Sequence, residues 1–355
     1  MLQINEEEQT VLNLKDYDLT NITELKCSTN NIVQFRKIDF STLFDTLVSF
    51  DCSGNLITHF CCLPPNLTTL NCNRNQLTTL CNLPKGLIVL NCDDNKLTCL
   101  CELPESLKEF SCANNSLKQL PDLPNTLEYM FVPSNFLTKL PNLPNSLLEL
   151  YCSKNQLESI PVLPPNLKIS LCHSNKLTSL GNIPDSLEYL NCDSNQLTLL
   201  LLPLSNNLCN LSCSSNQLNT LPDLPPFLEI LYCARNQLTT LPDPLPNNLR
   251  TLNCSFNKIK TLPNLPMGKV LSLNCQNNQL DSLPDLPHDI EKLSCDRNLF
   301  VETNLEKILL IQHNRKRMEL KMQQVDQLVD DVDIRQKYIE WQYRIGGEKY
   351  LTSCK

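Results

Sequence analysis

The chain has 355 residues, 41% of them hydrophobic, and combines 24 prolines and 20 cysteines with only six glycines. So few glycines disfavour an enzyme that holds its cofactor in glycine-rich loops. The formal net charge of −8 disfavours nucleic acid as the main partner, because that affinity comes chiefly from lysine and arginine neutralising phosphates.

Residues 1–20 are predicted to form an N-terminal cap. Leu12, Leu14, Tyr17 and Leu19 resemble a truncated copy of the repeat that follows, and a solenoid needs caps to cover its terminal core. The segment lacks the basic start and apolar core of a secretory signal, and no apolar run reaches the ~18 residues of a membrane span. We therefore expect no membrane partner and a cytoplasmic location.

Residues 21–300 contain a repeat of 20 or 21 residues after a first interval of 25, which predicts a solenoid of about 14 units. Each copy has the form L-x-x-L-x-C-x-x-N-x-L, and most copies close with a segment such as Leu-Pro-Asp-Leu-Pro. The asparagine of the motif recurs at Asn30, Asn55, Asn75, Asn95, Asn115, Asn135, Asn155, Asn175, Asn195, Asn216, Asn236, Asn257, Asn278 and Asn298. So regular a spacing cannot arise by chance.

The L-x-L-x-C part of each copy predicts a short β-strand. A period of two puts the second leucine and the cysteine on one side and the intervening residues on the other. Stacking one strand per copy buries the leucines in a single continuous core. The asparagine amide is expected to bond backbone groups that the following turn leaves unpaired, forming a ladder along the solenoid.

The Leu-Pro-x-Leu-Pro part of each copy predicts an extended or polyproline-like return segment. Proline fixes its own φ and pushes the preceding residue towards extended geometry, which excludes a helix. The architecture that follows is a parallel sheet of fourteen strands backed by extended segments.

Together these motifs resemble the short bacterial class of leucine-rich repeats of the YopM and IpaH type, and they are similar to leucine-rich-repeat proteins of giant DNA viruses. The resemblance covers about residues 12–300. It implies an α/β repeat solenoid: a short-repeat leucine-rich-repeat horseshoe with a parallel β-sheet on its concave face, a polyproline-like convex face and a helical C-terminal tail. It also implies a host protein as partner, and the host cytoplasm or a virion as location.

Thirteen of the 20 cysteines share the inward position of the strand, and Val132 holds that position in the remaining copy. Free cysteine behaves as a small apolar side chain, so we predict that these thiols fill the core. Disulfides between neighbouring copies are disfavoured here, because parallel strands aim their Cβ atoms in the same direction. Reduced thiols fit a cytoplasmic protein.

A second group of cysteines takes the place of proline in the return segments of three early copies. The group comprises Cys61, Cys81 and Cys101, with His59, Cys62 and Cys99 beside them. Stacking would bring these side chains together, and thiolates with one imidazole could bind zinc. The spacing matches no paired C-x-x-C site, however. Inert packing is favoured over zinc or disulfides, and no cofactor is predicted.

In the middle copies, large apolar side chains occupy the outward strand positions that are polar elsewhere. They are Tyr129, Phe131, Tyr151, Ile169, Leu171 and Tyr189, with Ile230 and Tyr232 two copies further on. Aromatic groups on a rigid exposed sheet are typical of interface anchors. The bordering glutamates, Glu109, Glu128, Glu149 and Glu188, favour a basic partner segment. The alternative is that the rings only shield one another as cross-strand neighbours.

Residues 301–355 are predicted to form a helical C-terminal cap or tail. Three-four spacing of apolar residues runs through Met318, Met322, Val325, Val329, Val332 and Ile339. The simplest interpretation is a helix folded over the last copy, and the alternative is a coiled-coil or partner-binding helix. The sequence is therefore compatible both with a monomer and with an oligomer formed through this helix.

No catalytic motif is found: there is no Walker loop, H-E-x-x-H or G-x-S-x-G. The IpaH-type resemblance would imply a C-terminal ubiquitin-ligase domain with a C-x-D nucleophile, but the only cysteine of the 55-residue tail, Cys354, is followed by Lys355. We predict a non-enzymatic protein-protein interaction scaffold. The rival is a structural or virion-associated component that self-assembles through the C-terminal helix, and a ubiquitin-ligase-type effector ranks third.

Overall fold

The computed structural model describes residues 1–3, 11–12, 21–35, 46–60, 62–200, 203–266, 270–287 and 290–300. The chain divides into two units, Met1–Phe300 and Val301–Lys355. Everything described below belongs to the first unit. The predicted C-terminal helix lies outside the described residues.

The described part of the chain forms short β-strands joined by turns and extended segments. The strands are β1 Leu2–Gln3, β2 Val11–Leu12, β3 Glu24–Lys26, β4 Gln34–Phe35, β5 Ser49–Asp51, β6 Thr69–Asn71, β7 Thr79–Leu80, β8 Val89–Asn91, β9 Cys99–Leu100, β10 Glu109–Ser111, β11 Tyr129–Phe131, β12 Glu149–Tyr151, β13 Ile169–Leu171, β14 Tyr189–Asn191, β15 Asn210–Ser212, β16 Ile230–Tyr232, β17 Thr251–Asn253, β18 Ser272–Asn274 and β19 Lys292–Ser294. Every strand of the main sheet except β1 has three residues, which agrees with the short strand that the pattern predicts.

Fifteen of these strands form one parallel sheet, in the order β1, β3, β5, β6, β8 and then β10 to β19 in sequence. The register is strict: Tyr129 pairs with Glu109 on one side and with Glu149 on the other. Equivalent residues of successive copies therefore stack in columns. The sheet has one strand more than the fourteen motif copies, because β1 near the N-terminus pairs with β3.

The core lies behind this sheet and is built from the repeated leucines and cysteines. Leu67, Leu70, Cys72 and Leu77 of one copy are each 0% exposed. Burial of a leucine side chain contributes about 1.5 to 3 kcal/mol, and the same positions are buried in copy after copy. The predicted inward direction of the second strand residue is confirmed.

The motif asparagine joins adjacent copies, as predicted. Asn75 Nδ2 donates to the carbonyl oxygens of Cys52 at 3.0 Å and of Cys72 at 3.1 Å, and Asn75 Oδ1 accepts from the backbone N–H of Ile57 at 3.0 Å. The residue before each asparagine has a left-handed backbone conformation, with a φ of 51° at Arg74. This sharp turn removes backbone groups from the sheet ladder, and the buried amide satisfies them.

The return segments are extended rather than helical, which confirms the prediction from their prolines. A tight turn brings each segment back to the sheet: the carbonyl of Pro84 accepts from the N–H of Leu87 at 3.1 Å, and Pro104 and Leu107 repeat the contact at 3.0 Å. On this side of the solenoid, β2 pairs with β4 and β7 pairs with β9. The parallel-sheet solenoid expected from the sequence is thus the observed fold.

Candidate partner-binding surface

The first and third residues of each strand project from the open face of the sheet, whereas the second enters the core. In β11, Met130 is 0% exposed and faces inward, flanked by Tyr129 and Phe131. Because the strands are in register, the predicted apolar residues of β11 to β14 form two adjacent columns on the open face. The structure therefore brings these predicted site residues together on four successive strands.

Two of the predicted contact residues are covered by their neighbours. Phe131 is only 1% exposed and Leu171 only 5%. The ring of Tyr151 stacks on Phe131, with 4.4 Å between centroids and 22° between planes. Adjacent strands lie about 4.8 Å apart, so large side chains in one column close over each other. The expectation that Phe131 and Leu171 are accessible is wrong, and they form the floor of the surface.

The remaining aromatic and aliphatic residues keep part of their surface accessible. Tyr129, Tyr151, Ile169, Tyr189 and Ile230 are half-buried. Tyr232 is the most accessible, with 37% of its surface exposed, because small side chains flank it: Ser212 on β15 and Asn253 on β17.

A polar strand divides the apolar surface. Asn210 and Ser212 of β15 lie between Tyr189 of β14 and the second apolar pair on β16, Ile230 and Tyr232. The Oδ1 atom of Asn210 is buried and has no hydrogen-bond partner among the described residues. The surface thus consists of a larger part on β11 to β14 and a smaller one on β16.

The hydroxyl group of Tyr151 is already engaged within its own strand. It donates to Glu149 Oε2 at 3.0 Å. Burial raises the pKa of Tyr151, and the neighbouring Glu149 carboxylate raises it further. The ring is therefore held neutral, with its orientation fixed by the stack on one side and this hydrogen bond on the other.

Two of the four glutamates at the border of the surface, Glu128 and Glu188, are paired with lysines of the preceding copy. Lys108 Nζ lies 2.8 Å from Glu128 Oε1, and Lys168 Nζ lies 3.7 Å from Glu188 Oε1. The hydrogen bond to Glu128 raises the pKa of Lys108. Part of the negative charge that the sequence places at this border is therefore balanced by lysines, which sequence spacing alone did not reveal.

A shallow cavity of about 320 Å³ lies next to the segments that precede β14 to β17. It is lined by Glu188, Asn207, Cys209, Phe227, Glu229 and Asn248. The Phe227 side chain is 55% exposed. Burial raises the pKa of the Cys209 thiol, and the flanking carboxylates raise it further. The sequence analysis missed this cavity, since its residues precede the strands and follow no motif of their own.

The column of cysteines is buried throughout, as predicted. Each of the thirteen cysteines of this column is 0 or 1% exposed. Val132, which replaces cysteine in one copy, is equally buried at 0%. Burial raises the pKa of Cys172 and of Cys254 to about 12. These thiols remain protonated at neutral pH and act as apolar filler rather than as nucleophiles.

The second group of cysteines forms a covalent link instead of remaining inert. Cys81 and Cys101 are joined by a disulfide, with 5.0 Å between their Cα atoms. The preference for inert packing over a disulfide is therefore wrong at these two positions. Cys62 and Cys99 are exposed, and His59 Nδ1 lies 3.0 Å from the hydroxyl of Thr58.

A metal site is not formed by the remaining members of this group within the described residues. No group of three or more His, Cys, Asp or Glu side chains there could hold a metal ion. Cys61 lies outside the described residues. In the same part of the chain no helix is long and apolar enough to cross a membrane.

Comparison with known proteins agrees with this architecture. Neither a family model nor a curated protein matches the chain. Among solved structures, YopM, a leucine-rich effector protein from Yersinia pestis, is 32% identical, and the match covers 78% of this chain and 83% of YopM with a TM-score of 0.67. The chain belongs to the leucine-rich-repeat family, with repeats of the YopM type.

Two other leucine-rich-repeat structures extend the comparison. The functional domain of InlJ from Listeria monocytogenes is 26% identical over 80% of this chain and 65% of that chain, with a TM-score of 0.66, and it includes a cysteine ladder. The Toll and Spatzle complex from Drosophila shares the fold alone, at 23% identity over 74% of this chain and 41% of that chain, with a TM-score of 0.54. Leucine-rich-repeat folds of this kind are generally protein-interaction scaffolds.

Proposed function

We propose that this leucine-rich-repeat protein is a non-enzymatic scaffold that binds a protein partner on the open, concave face of its sheet. The contact surface, called the docking patch below, consists of Tyr129, Tyr151, Ile169, Tyr189, Ile230 and Tyr232, on a floor of Phe131 and Leu171. One observation carries the proposal. Large apolar side chains with accessible surface lie in register on neighbouring strands in the middle of the sheet. Polar residues occupy the same outward positions on the strands at both ends of the sheet.

Pre-organisation supports this assignment. The stacked Phe131 and Tyr151 rings, and the Tyr151 hydrogen bond to Glu149, hold the larger part of the patch in one arrangement before any partner arrives. Ordering flexible side chains costs about 0.5 to 1.5 kcal/mol each on association. A patch that is already ordered avoids much of that cost, and tyrosine combines an apolar ring with a polar tip.

The charge at the border suggests the chemistry of the partner. Four glutamates (Glu109, Glu128, Glu149 and Glu188) and two lysines (Lys108 and Lys168) surround the larger part of the patch, which leaves an excess of two negative charges. A partner segment that presents apolar side chains with a few basic residues at their edges would complement it. Because the lysines neutralise part of the charge, added salt should weaken binding only moderately.

The experiment is site-specific photo-cross-linking from the full chain in candidate host cells. A photoreactive phenylalanine analogue replaces Tyr232 in one variant and Phe136 in the control, since Phe136 is 49% exposed but lies outside the strands of the patch. We expect one partner protein to cross-link at position 232 and not at 136. Purified partner should then lose about tenfold or more in affinity for Tyr189→Ala with Tyr232→Ala, and little for Phe136→Ala.

The rival function, a self-assembling structural component, gives a different result in the same experiment. Self-assembly through residues 301–355 would give no partner cross-link specific to position 232, and the native mass, a multiple of 40.5 kDa, would fall to that of a monomer when those residues are deleted. A cross-linked partner with equal affinity for the double variant and for wild type would place the interface elsewhere and overturn the docking patch.

A further inference from the structure

The disulfide between Cys81 and Cys101 occupies a position that proline holds in the copies that follow. Counting onwards in steps of 20 residues from Cys101, the same position is taken by Pro121, Pro141 and Pro161. The two cysteines are separated by 20 residues, so the link joins two adjacent return segments. The docking patch does not include this part of the molecule, although Leu80 beside Cys81 is buried in the core.

The replacement of proline also changes the backbone. Cys101 donates its N–H to the carbonyl oxygen of Leu80 at 3.3 Å, a bond that proline cannot make because it has no N–H. Beside it, β7 and β9 pair in parallel, Thr79 with Cys99 and Leu80 with Leu100. A pairing of only two residues is marginal by itself.

Proline and a disulfide stabilise this position by a common physical effect. A proline reduces the conformational entropy of the unfolded chain and therefore favours the folded return segment under all conditions. A cysteine in place of the proline leaves the unfolded chain with more conformational entropy. A disulfide lowers that entropy again by closing a loop in the unfolded chain, but only while the two sulfur atoms remain oxidised.

We propose that Cys81 and Cys101 form a redox-dependent staple, which makes the order of this pair of return segments depend on the thiol-disulfide balance around the protein. Cys101 is exposed and Cys81 half-buried, so small thiols and disulfides reach Cys101 first.

The disulfide forms by thiol-disulfide exchange. The Cys101 thiolate attacks a low-molecular-weight disulfide such as oxidised glutathione, forming a mixed disulfide and releasing one glutathione thiolate. The Cys81 thiolate then displaces the second glutathione. Two cysteine thiols are oxidised, and one glutathione disulfide is reduced to two glutathione molecules.

The test begins with the full chain equilibrated in mixtures of reduced and oxidised glutathione. Free thiols are alkylated and non-reduced peptides are mapped by mass spectrometry. The expected result is a peptide pair linked through Cys81 and Cys101 in oxidising mixtures, and alkylation of both residues in reducing ones. A persistent absence of the link, or linkage of either residue to a different cysteine, would overturn the staple.

Hydrogen exchange then measures what the staple does. In wild type, reduction should speed amide exchange in residues 78–102 by about tenfold or more, while exchange across β12 to β16 stays the same. Cys99→Ser is the matched control, because Cys99 is an exposed free thiol in the same return segment, and it should retain the full redox effect. Cys101→Ser should exchange at the fast rate in both conditions.

The wild-type comparison needs no variant to fold and is decisive by itself. If residues 78–102 exchange equally fast with the disulfide formed and reduced, the link constrains nothing and the proposal fails. A redox effect that persists in Cys101→Ser would assign it to another cysteine and overturn the proposal too.

Discussion

Asn155 Nδ2 lies 2.9 Å from the carbonyl oxygen of Val132, so the amide of one copy closes a hydrogen bond with the strand of the copy before it. Its Oδ1 atom accepts from the N–H of Leu137 at 3.0 Å, also in the preceding copy. Each interface between copies in the central region therefore contains buried polar contacts as well as leucines.

Replacing Asn155 with alanine should destabilise the protein. The substitution leaves the Leu137 N–H without its partner and the Val132 carbonyl with only a long contact of 3.5 Å to Asn135 Nδ2, which we expect to cost about 1 to 3 kcal/mol. Urea unfolding followed by circular dichroism measures the loss. Asn145→Ala is the control, because Asn145 is exposed and lies outside the ladder, and it should change stability by less than about 0.5 kcal/mol. Equal effects at both positions would contradict the ladder's role.

Stability should fall in alkaline solution because of the buried thiols. Burial raises the pKa of Cys172 and Cys254 from the ordinary 9.0 to about 12. Above pH 9 the unfolded chain loses thiol protons that the folded chain retains, so the free energy of unfolding decreases between pH 9 and 12 and is unaffected by these groups below pH 9. Each such thiol contributes a slope of about 1.4 kcal/mol per pH unit.

Urea unfolding at about pH 8 and about pH 10.5, with a reductant present, measures this slope. Cys172→Val is the control, since Val132 occupies the equivalent buried position in another copy. The variant should show a shallower pH dependence by about one thiol's contribution. A wild-type protein equally stable at both pH values would show that the thiols are accessible in the folded state.

Ser170→Leu should stabilise the protein. Ser170 is 1% exposed and faces the core of β13, where the paired residues on both neighbouring strands are leucines, Leu150 and Leu190. Its Oγ atom is buried and meets no strong hydrogen-bond partner among the described residues, since its polar neighbour is the thiol of Cys172. Replacing it removes a poorly satisfied hydroxyl and buries more apolar surface, for an expected gain of about 1 to 3 kcal/mol.

Thermal and urea unfolding check that gain, with Ser170→Ala as the companion variant. Alanine removes the hydroxyl and leaves the volume unfilled, so it should fall between wild type and Ser170→Leu. A less stable leucine variant would mean that the surrounding side chains already fill the site.

Within the docking patch, replacing a buried residue should lower the stability of the fold, whereas replacing an exposed residue should leave stability nearly unchanged. Phe131→Ala empties a site that is 1% exposed and should cost about 3 to 5 kcal/mol of stability. Tyr232→Ala truncates a side chain that is 37% exposed and should leave the free energy of unfolding within about 1 kcal/mol. Unfolding curves measured beside partner affinity test the difference, and equal destabilisation by the two variants would contradict the observed burial.

Most of the fold could be predicted from the sequence because a solenoid copy contacts chiefly its immediate neighbours. The 20-residue period, the two-residue alternation around Leu70 and Cys72, and the prolines of the return segments are all local signals. They correctly predicted the parallel sheet, the buried cysteine column and the asparagine ladder. The columns of the docking patch follow from the same register.

Accessibility within those columns could not be read from the pattern. Phe131 and Leu171 alternate with core residues as Tyr232 does, yet the first two are covered and the third is not. The difference depends on which rings lean over which neighbours: Tyr151 closes over Phe131, whereas Ser212 and Asn253 are too small to cover Tyr232. Likewise, only the stacked structure pairs Lys108 with Glu128.

The architecture and the division into buried and outward residues could be derived from the repeat period alone. The disulfide between Cys81 and Cys101, the cavity beside Cys209 and the exposed part of the docking patch are evident only in the folded chain. These features depend on the volume and orientation of side chains in adjacent copies, about 4.8 Å apart in space but some 20 residues apart in the chain.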